Sequence, residues 1–341
     1  MKKTRIYLIV AALVALGLVC FLLFRPEKTP AQEEPVRIGI AWRADPDSEF
    51  YTNISRAIRE AGGEPVILDQ VKVSIFEYEG STLSASYLDE NDILKQEYAD
   101  FVKAEPDAGF TGCNASGAVQ GVHAVVFTGG EDIAPTLLRN PEPWHGIEEE
   151  KDYNATRDIS EYLTMAYCLD QNIPILGICR GLQMLAVVSG GSLIQDIPVY
   201  YAQQGKTYNN EHRNVSVAGA YRDYAAHDVD VLTENSWLSK MAQGDVIHKA
   251  PSWHHQAVGA LDFTELKVVG STTIDGIAIP EAAQRIDKTF AVGIQFHPEA
   301  AIKKHLNHAK NASDYMSYEE ALNYFTVLVQ QARAIRDSEK R

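Results

Sequence analysis

Short apolar runs alternate with stretches of helical periodicity along the first half of this chain, and no other feature narrows its fold as far. VRIGIAW (residues 36–42) reads as a buried strand. Phe50, Ile54, Ala57, Ile58 and Ala61 follow at helical spacing until Gly62-Gly63 stops the pattern. PVILD (65–69) is a second strand, and GVHAVVF (121–127) a third that runs straight into Thr128-Gly129-Gly130. Ile159, Tyr162, Leu163 and Ala166 mark a helix ahead of a fourth strand, IPILGI (173–178). Strand and helix alternating in this way give an α/β fold whose mostly parallel central sheet is covered on both faces, with its sites at the carboxyl ends of the strands. The second half is less regular. Residues 278–296 read as two strands joined near Asp287-Lys288, and residues 318–335 as an amphipathic helix. Residues 71–120 exceed a normal connection and are read as an insertion, partly helical around Asp89 to Lys103.

Residues 1–25 stand apart from this pattern. Lys2, Lys3 and Arg5 precede an uncharged apolar run from Ile6 to Phe24, closed by Arg25. At about 1.5 Å per helical residue the run spans about 28 Å, close to the depth of a bilayer's hydrocarbon core. It is longer than the apolar core of a secretory signal, and Leu18-Val19-Cys20 lacks the small residue that a lipoprotein signal carries ahead of its cysteine. The expectation is a single-pass transmembrane helix with a cytoplasmic amino terminus and the remainder of the chain outside. A cleaved signal followed by secretion is the alternative. Residues 26–35 have linker composition, which leaves residues 36–341 as the folded domain. Beyond Arg25 the chain holds 27 basic and 46 acidic residues. That balance argues against nucleic acid as a partner, and against a membrane contact other than the amino-terminal helix. Past the apolar run only Cys113, Cys168 and Cys179 remain, a poor number for a disulfide framework, although a single Cys113–Cys168 bridge stays open. Asn-x-Ser/Thr triplets at Asn53, Asn114, Asn154, Asn214 and Asn311 matter only in a host that glycosylates.

The chemistry gathers at one corner. PILGICRGLQM (174–184) ends an apolar strand at Ile178 and hands over to a helix near Gly181, which puts Cys179 on a sharp elbow at the helix's positive end. That position forces the side chain out of the sheet and favours a thiolate nucleophile. A base is available in FHPE (296–299): His297 also follows an apolar strand, Pro298 fixes the turn, and Glu299 can reach back to orient the imidazole. In TGGEDI (128–133) the glycines let a main-chain N–H, together with that of Arg180, face a tetrahedral oxyanion. Cys168, inside a helical stripe, reads as a structural thiol.

These stretches, together with Arg157-Asp158, GGSLIQDI (190–197) and HHQAV (254–258), resemble the class I glutamine amidotransferase superfamily. More closely they resemble its gamma-glutamyl hydrolase branch, which includes the bacterial gamma-glutamyl-gamma-aminobutyrate hydrolases. CRGLQ in place of a CLGHQ-like run, and TGGEDI in place of GGP, favour that branch. The resemblance implies a flavodoxin-like three-layer sandwich and a Cys179–His297–Glu299 triad. It also implies oxyanion donors at Gly130 and Arg180, and substrate contacts at Gly129, Gln183, His255 and Gln256. The activity it implies is hydrolysis of a gamma-glutamyl amide through a glutamyl-thioester, with a small-molecule substrate and no metal or organic cofactor. A glutaminase feeding ammonia to a synthetase, and a non-catalytic binding protein of the same fold, are the alternatives. The insertion at 71–120 and residues 208–229 depart from the family pattern and are expected as pocket walls.

The remaining polar residues carry plainer expectations. His254 and His255 are adjacent on an extended segment and point to opposite faces, so they do not share a metal and are read as part of a loop lining the substrate site. His212 and His227 lie in polar loops and are expected to be solvated, as is the run Glu148-Glu149-Glu150. Trp144 and Trp253 suit either a pocket wall or the core.

Overall fold

The structure is a computed structural model describing residues 34–140, 144, 146, 148–215, 217 and 222–339. The expected membrane helix at residues 1–25 lies outside the described residues. Among the described residues no helix is long and apolar enough to cross a membrane. Residues from Val36 onward form one compact unit.

The unit opens with strand β1 (Arg37–Ile40), helix α1 (Glu49–Glu60) and strand β2 (Glu64–Ile67). The insertion then supplies a hairpin of β3 (Tyr78–Glu79) and β4 (Thr82–Leu83), helix α2 (Gln96–Ala104) and a short α3 (Ala115–Ala118). Next come β5 (Ala124–Phe127), α4 (Ala155–Asp170), β6 (Ile175–Ile178), α5 (Arg180–Val188), β7 (Leu193–Ile194) and α6 (Ile197–Gln203). The last third holds β8 (Ala225–Val231), α7 (Trp237–Ala242), β9 (Val246–Ser252), β10 (Ala257–Val258), β11 (Leu266–Ile274), β12 (Ile277–Arg285) and β13 (Ala291–Ile294). Helices α8 (Pro298–Leu306) and α9 (Tyr318–Glu339) close the chain.

The large sheet runs β2-β1-β5-β6-β13-β12-β11-β8-β9. Its first five strands are parallel, and in chain order they follow the 2-1-3-4-5 arrangement of a doubly wound sheet. From β12 onward the pairing is antiparallel, through a long β11–β12 hairpin whose chain turns back at Asp275-Gly276. The strand period of two shows in β5, where Ala124 and Val126 enter one core and Val125 and Phe127 the other. One core lies under α1, α7, α8 and α9, and the other under α2, α3, α4 and α5. Helices α1 and α4 start at side-chain caps: Ser48 accepts from Phe50 N, and Asn154 Oδ1 accepts from Arg157 N at 3.1 Å.

The insertion is structured, but it does not wall the cavity that holds Cys179. Leu83, Leu94, Ala99, Val102 and Ala115 join the core cluster that also contains Ile159 and Leu163 of α4. Leu83 N and Val71 N donate to the hydroxyls of Thr156 and Ser160 on that helix. Its apolar residues bind the segment to the flank of the sandwich, away from the strand ends. Cys113 and Cys168 are both free thiols, which closes the bridge left open above.

Candidate active site

Strand β6 ends at Ile178, and the next residue turns the chain through a corner. Cys179 has φ 52° and ψ −105°, a strained conformation for a residue with a Cβ, and it stands at the N-cap of α5. Its N–H donates to Ile294 O at 2.7 Å, while its carbonyl accepts from Leu182 N and Gln183 N at 3.0 and 3.2 Å. Glycines let the helix begin hard against the sheet. A Cβ at Gly181 would lie 2.6 Å from the Phe127 carbonyl oxygen, and one at Gly177 would lie 2.5 Å from the Gly181 main chain. The side chain of Cys179 is thereby turned into a cavity, where its thiol faces the Trp253 carbonyl at 3.9 Å.

Strand β13 delivers the imidazole to the same cavity. His297 is the N-cap of α8 and Pro298 the first helical residue, so the helix starts immediately beyond the ring. Its Nδ1–H donates to Glu299 Oε1 at 2.7 Å, with both side chains buried. That bond leaves Nε2 for the cavity side, and Nε2 makes no hydrogen bond. Burial acts to lower the His297 pKa, but the Glu299 carboxylate and the Cys179 thiolate outweigh it and push it up to about 10. Gly129 lies against both groups: a Cβ there would stand 2.7 Å from His297 Cε1 and 3.4 Å from Cys179 Cβ. The rings of Tyr224 and Phe50 flank the imidazole at 5.2 and 6.2 Å.

A buried charge network fixes the turn after β5. Arg157, fully buried on α4, donates to the carbonyls of Thr128 and Gly129 at 3.1 and 3.0 Å, and Arg43 also donates to Gly129 O. A trans peptide directs its N–H opposite to its C=O. Holding the Gly129 carbonyl on the guanidinium side therefore turns the Gly130 N–H the other way, and Gly130 lines the cavity beside Cys179. Arg157 is balanced by Glu161, 2.8 Å from Nε, and by Glu131. Burial would raise the Glu131 pKa, but Arg157, Arg180 and Arg43 hold it down at about 2. The Arg180 side chain is also turned inward, onto Asp158 and Glu161, so only its main-chain N–H stands at the start of α5.

The cavity has two lobes that meet at Cys179, Gly130, Glu131, Asp152 and Trp253. One, of about 470 Å³, runs past His297, Tyr224, Phe50 and Glu49. The other, of about 410 Å³, runs past Gln183, His255, Gln256, Arg213 and Lys151. Gln183 Nε2 donates to Gln256 O at 3.1 Å and so ties α5 to the 252–256 segment. His255 bonds Asp132 at 2.9 Å and Asp196 at 3.4 Å. Burial lowers its pKa, yet these two bonds prevail and bring it to about 9. A separate cavity of about 490 Å³, beside α6 and β10, is lined by no cysteine or histidine.

Every residue singled out above as a site candidate thus borders or supports this cavity, and two other expectations are corrected. His212 and His227 are not solvated. Both are enclosed, with His254 and the carboxylate of Glu281 on β12, and burial pushes the His212 pKa down to about 3. Glu150 is half-buried and pairs with Arg213 at 2.6 Å on the cavity rim, although Glu148 and Glu149 are exposed as expected. Trp253 is a cavity wall. Sequence reasoning missed Arg43 and Glu161. Arg43 lies just past the carboxyl end of β1, the position that the strand-end rule marks. Glu161 is a carboxylate four residues after Arg157 on a buried helix face, and that pairing was its signal.

Several known proteins are similar to this chain. Protein NtpR of Enterococcus hirae is 30% identical over 201 residues, covering 59% of this chain and 74% of that protein. The gamma-glutamyl-gamma-aminobutyrate hydrolase PuuD of Escherichia coli K12 is 33% identical over 152 residues, which is 44% of this chain and 56% of that one. A glutamine amidotransferase of Thermotoga maritima of known structure aligns over 89% of this chain and 97% of its own, at 18% identity and a TM-score of 0.40. Residues 111–299 match the family described as Peptidase C26, and with the strained cysteine, the oriented histidine and the glycine turn all inside that span, the chain belongs to it.

Proposed function

We propose that this chain is a cysteine hydrolase of gamma-glutamyl amide bonds. The observation that carries the reading is the buried row Cys179, His297 and Glu299 at the junction of two cavity lobes. In the first half-reaction the Cys179 thiolate attacks the side-chain carbonyl carbon of the glutamyl group. The negative charge on the carbonyl oxygen falls to the N–H groups of Gly130 and Arg180, each contributing about 3 kcal/mol to the transition state. The C–N bond breaks as imidazolium His297 protonates the leaving amine, which departs and leaves a thioester. Neutral His297 then takes a proton from water, the hydroxide oxygen bonds to the same carbon, and the C–S bond breaks to release glutamate and the thiolate. Glu299 holds the ring's tautomer and stabilises its charge throughout.

The lobes divide the substrate. Because His297 hands its proton to the leaving nitrogen, the amine belongs in the His297 lobe. The glutamyl end then occupies the lobe of Gln183, His255 and Gln256. That lobe offers both signs, as an amino-acid end requires: Arg213 and Lys151 for the carboxylate, Asp132 and Asp152 for the ammonium. Gly129, pressed between the reacting groups, leaves room for the acyl carbon.

The test is release of glutamate from a panel of gamma-glutamyl amides by the purified full chain. Turnover of these amides, abolished in Cys179→Ala while the thermal melt is unchanged, supports the reading. Turnover of free glutamine alone, rising when a synthetase is added, would replace it with the glutaminase. Failure of a gamma-glutamyl electrophile to label Cys179 would replace it with a binding protein. The membrane helix at residues 1–25 is part of the proposal and rests on the sequence.

A further inference from the structure

Behind the wall of the acyl lobe lies a group that the chemistry above does not use. The Nε2 atoms of His227, His212 and His254 stand 3.2, 3.5 and 3.5 Å from one oxygen, Oε1 of Glu281. All four side chains are buried, and His212 and Glu281 have no exposed surface. They come from four different segments: the loop before β8, strand β8, the segment after β9 and strand β12. The three Nε2 atoms and both oxygens of Glu281 make no hydrogen bond.

Two of the rings have their tautomers set from behind. His227 Nδ1 lies 3.1 Å from the Glu211 carbonyl oxygen, and His254 Nδ1 lies 2.8 Å from that of Gln256. A carbonyl only accepts, so each Nδ1 carries a hydrogen, and Nε2 presents a lone pair whenever the ring is neutral; burial lowers the pKa of His254, whereas the Glu281 carboxylate outweighs burial and raises that of His227. The cluster therefore aims nitrogen lone pairs and a carboxylate at one point from which water is excluded. Such groups repel unless a cation stands among them. Imidazoles braced by backbone carbonyls through the far nitrogen are the arrangement that metal-binding histidines use. The spacing agrees as well. Ligands at about 2.0–2.1 Å from a tetrahedral ion are separated by about 3.3 Å, and the observed separations from Glu281 Oε1 bracket that value. The ligand atoms of His212, His227 and Glu281 all lie within 4.8 Å of one another; His254 is outside that group of three but faces the same Glu281 oxygen at 3.5 Å. Mixed imidazole and carboxylate donors suit a first-row divalent ion such as Zn²⁺ rather than Mg²⁺ or Ca²⁺.

We propose that His212, His227, His254 and Glu281 form a structural site for a divalent transition metal, which fixes the segment that walls the acyl lobe. The link to that wall is direct. His254 N and Ser252 Oγ both donate to the His212 carbonyl, at 3.1 and 2.8 Å, and Trp253, His255 and Gln256 of the same segment face substrate. The ion acts on substrate binding through this loop and takes no part in bond breaking.

The experiment uses the untagged full chain carrying Cys179→Ala, so that the thiol does not compete for metal. Purified without chelator, it is expected to hold about one Zn²⁺ per chain. After chelation, Co²⁺ should restore the visible band of a tetrahedral ion, and either metal should raise the melting temperature by about 5 °C. His227→Ala and Glu281→Gln should lose the band, and in the Cys179-containing chain Glu281→Gln should raise KM more than it lowers kcat. The proposal is overturned if the chain carries no stoichiometric metal and neither Zn²⁺ nor Co²⁺ gives a band or a thermal shift. It is overturned equally if His227→Ala binds Co²⁺ as the parent does. The Co²⁺ spectrum of the Cys179→Ala parent decides the matter even if both further variants fail to fold.

Discussion

Replacing Glu299 by Gln tests the central pair with little change of shape. The carboxylate lies 2.7 Å from His297 Nδ1, with the imidazole 2% and the carboxylate 1% exposed, so solvent screens the pair very little. His297 reaches about 10 from an ordinary 6.5 against the opposing effect of burial, and Glu299 is the foremost of the groups that raise it. Losing a charge-assisted hydrogen bond of this kind removes about 1.5–3 kcal/mol of stabilisation from the imidazolium. Since the imidazolium is the acid that releases the amine, the same energy appears in the barrier as a fall in kcat of up to about 100-fold. The pH profile sharpens the point. A histidine whose pKa is raised stays protonated up to that pKa, so the alkaline limb of kcat/KM, which reports the free enzyme, should move from near pH 10 to lower pH. KM should remain within about threefold, because Glu299 does not touch substrate. Glu299 also lies in the first turn of α8, where losing its charge costs about 0.3–1 kcal/mol of stability, too little to explain a 100-fold rate loss. Glutamate release measured from pH 6 to 11, with a thermal melt of each chain, checks all of this. An unmoved alkaline limb, or a kcat within threefold of the parent, would refute the assignment of Glu299.

Three further outcomes are expected. Gly129→Ala introduces a methyl 2.7 Å from His297 Cε1 and should cost about 100-fold in kcat by displacing the ring, with far-ultraviolet circular dichroism unchanged; near-normal turnover would show that the ring has room. His255, at about 9 in the folded chain against 6.5 ordinarily, stabilises the fold fully below pH 6.5, and that contribution is lost as pH rises through 9. Denaturant titrations at pH 6 and 9.5 should therefore show a smaller loss of stability in His255→Gln than in the parent, by up to about 3 kcal/mol, and equal losses would contradict the pairing with Asp132 and Asp196. Protease added to intact cells should destroy the domain if residues 1–25 span the membrane with the amino terminus inside; protection would reverse that orientation.

What could be read from the sequence follows from what is local. Ile175 to Ile178, Cys179, Gly181 and the FHPE run each declare a strand end, an elbow or a helix start through their immediate neighbours, and the structure puts those ends side by side because a parallel sheet aligns its carboxyl termini. The His cluster was illegible for the opposite reason. NNEHRN and AAHDV have the composition of solvated loops, and what buries His212 and His227 is Glu281, which lies more than 50 residues away on a strand that crosses beside them only through the antiparallel half of the sheet. Arg157 and Arg180 show the same limit in milder form. Their charges promised exposure, yet each lies at 0% because Asp158, Glu161 and Glu131 meet it inside. Burying that many charges is expensive unless every one is paired. The network that holds the Gly129 carbonyl leaves only the Nε atoms of Arg43 and Arg180 without a partner, whereas around Glu281 three imidazole Nε2 atoms and both carboxylate oxygens stay unsatisfied. That contrast within one domain is what separates a finished electrostatic support from a cluster built to receive a cation.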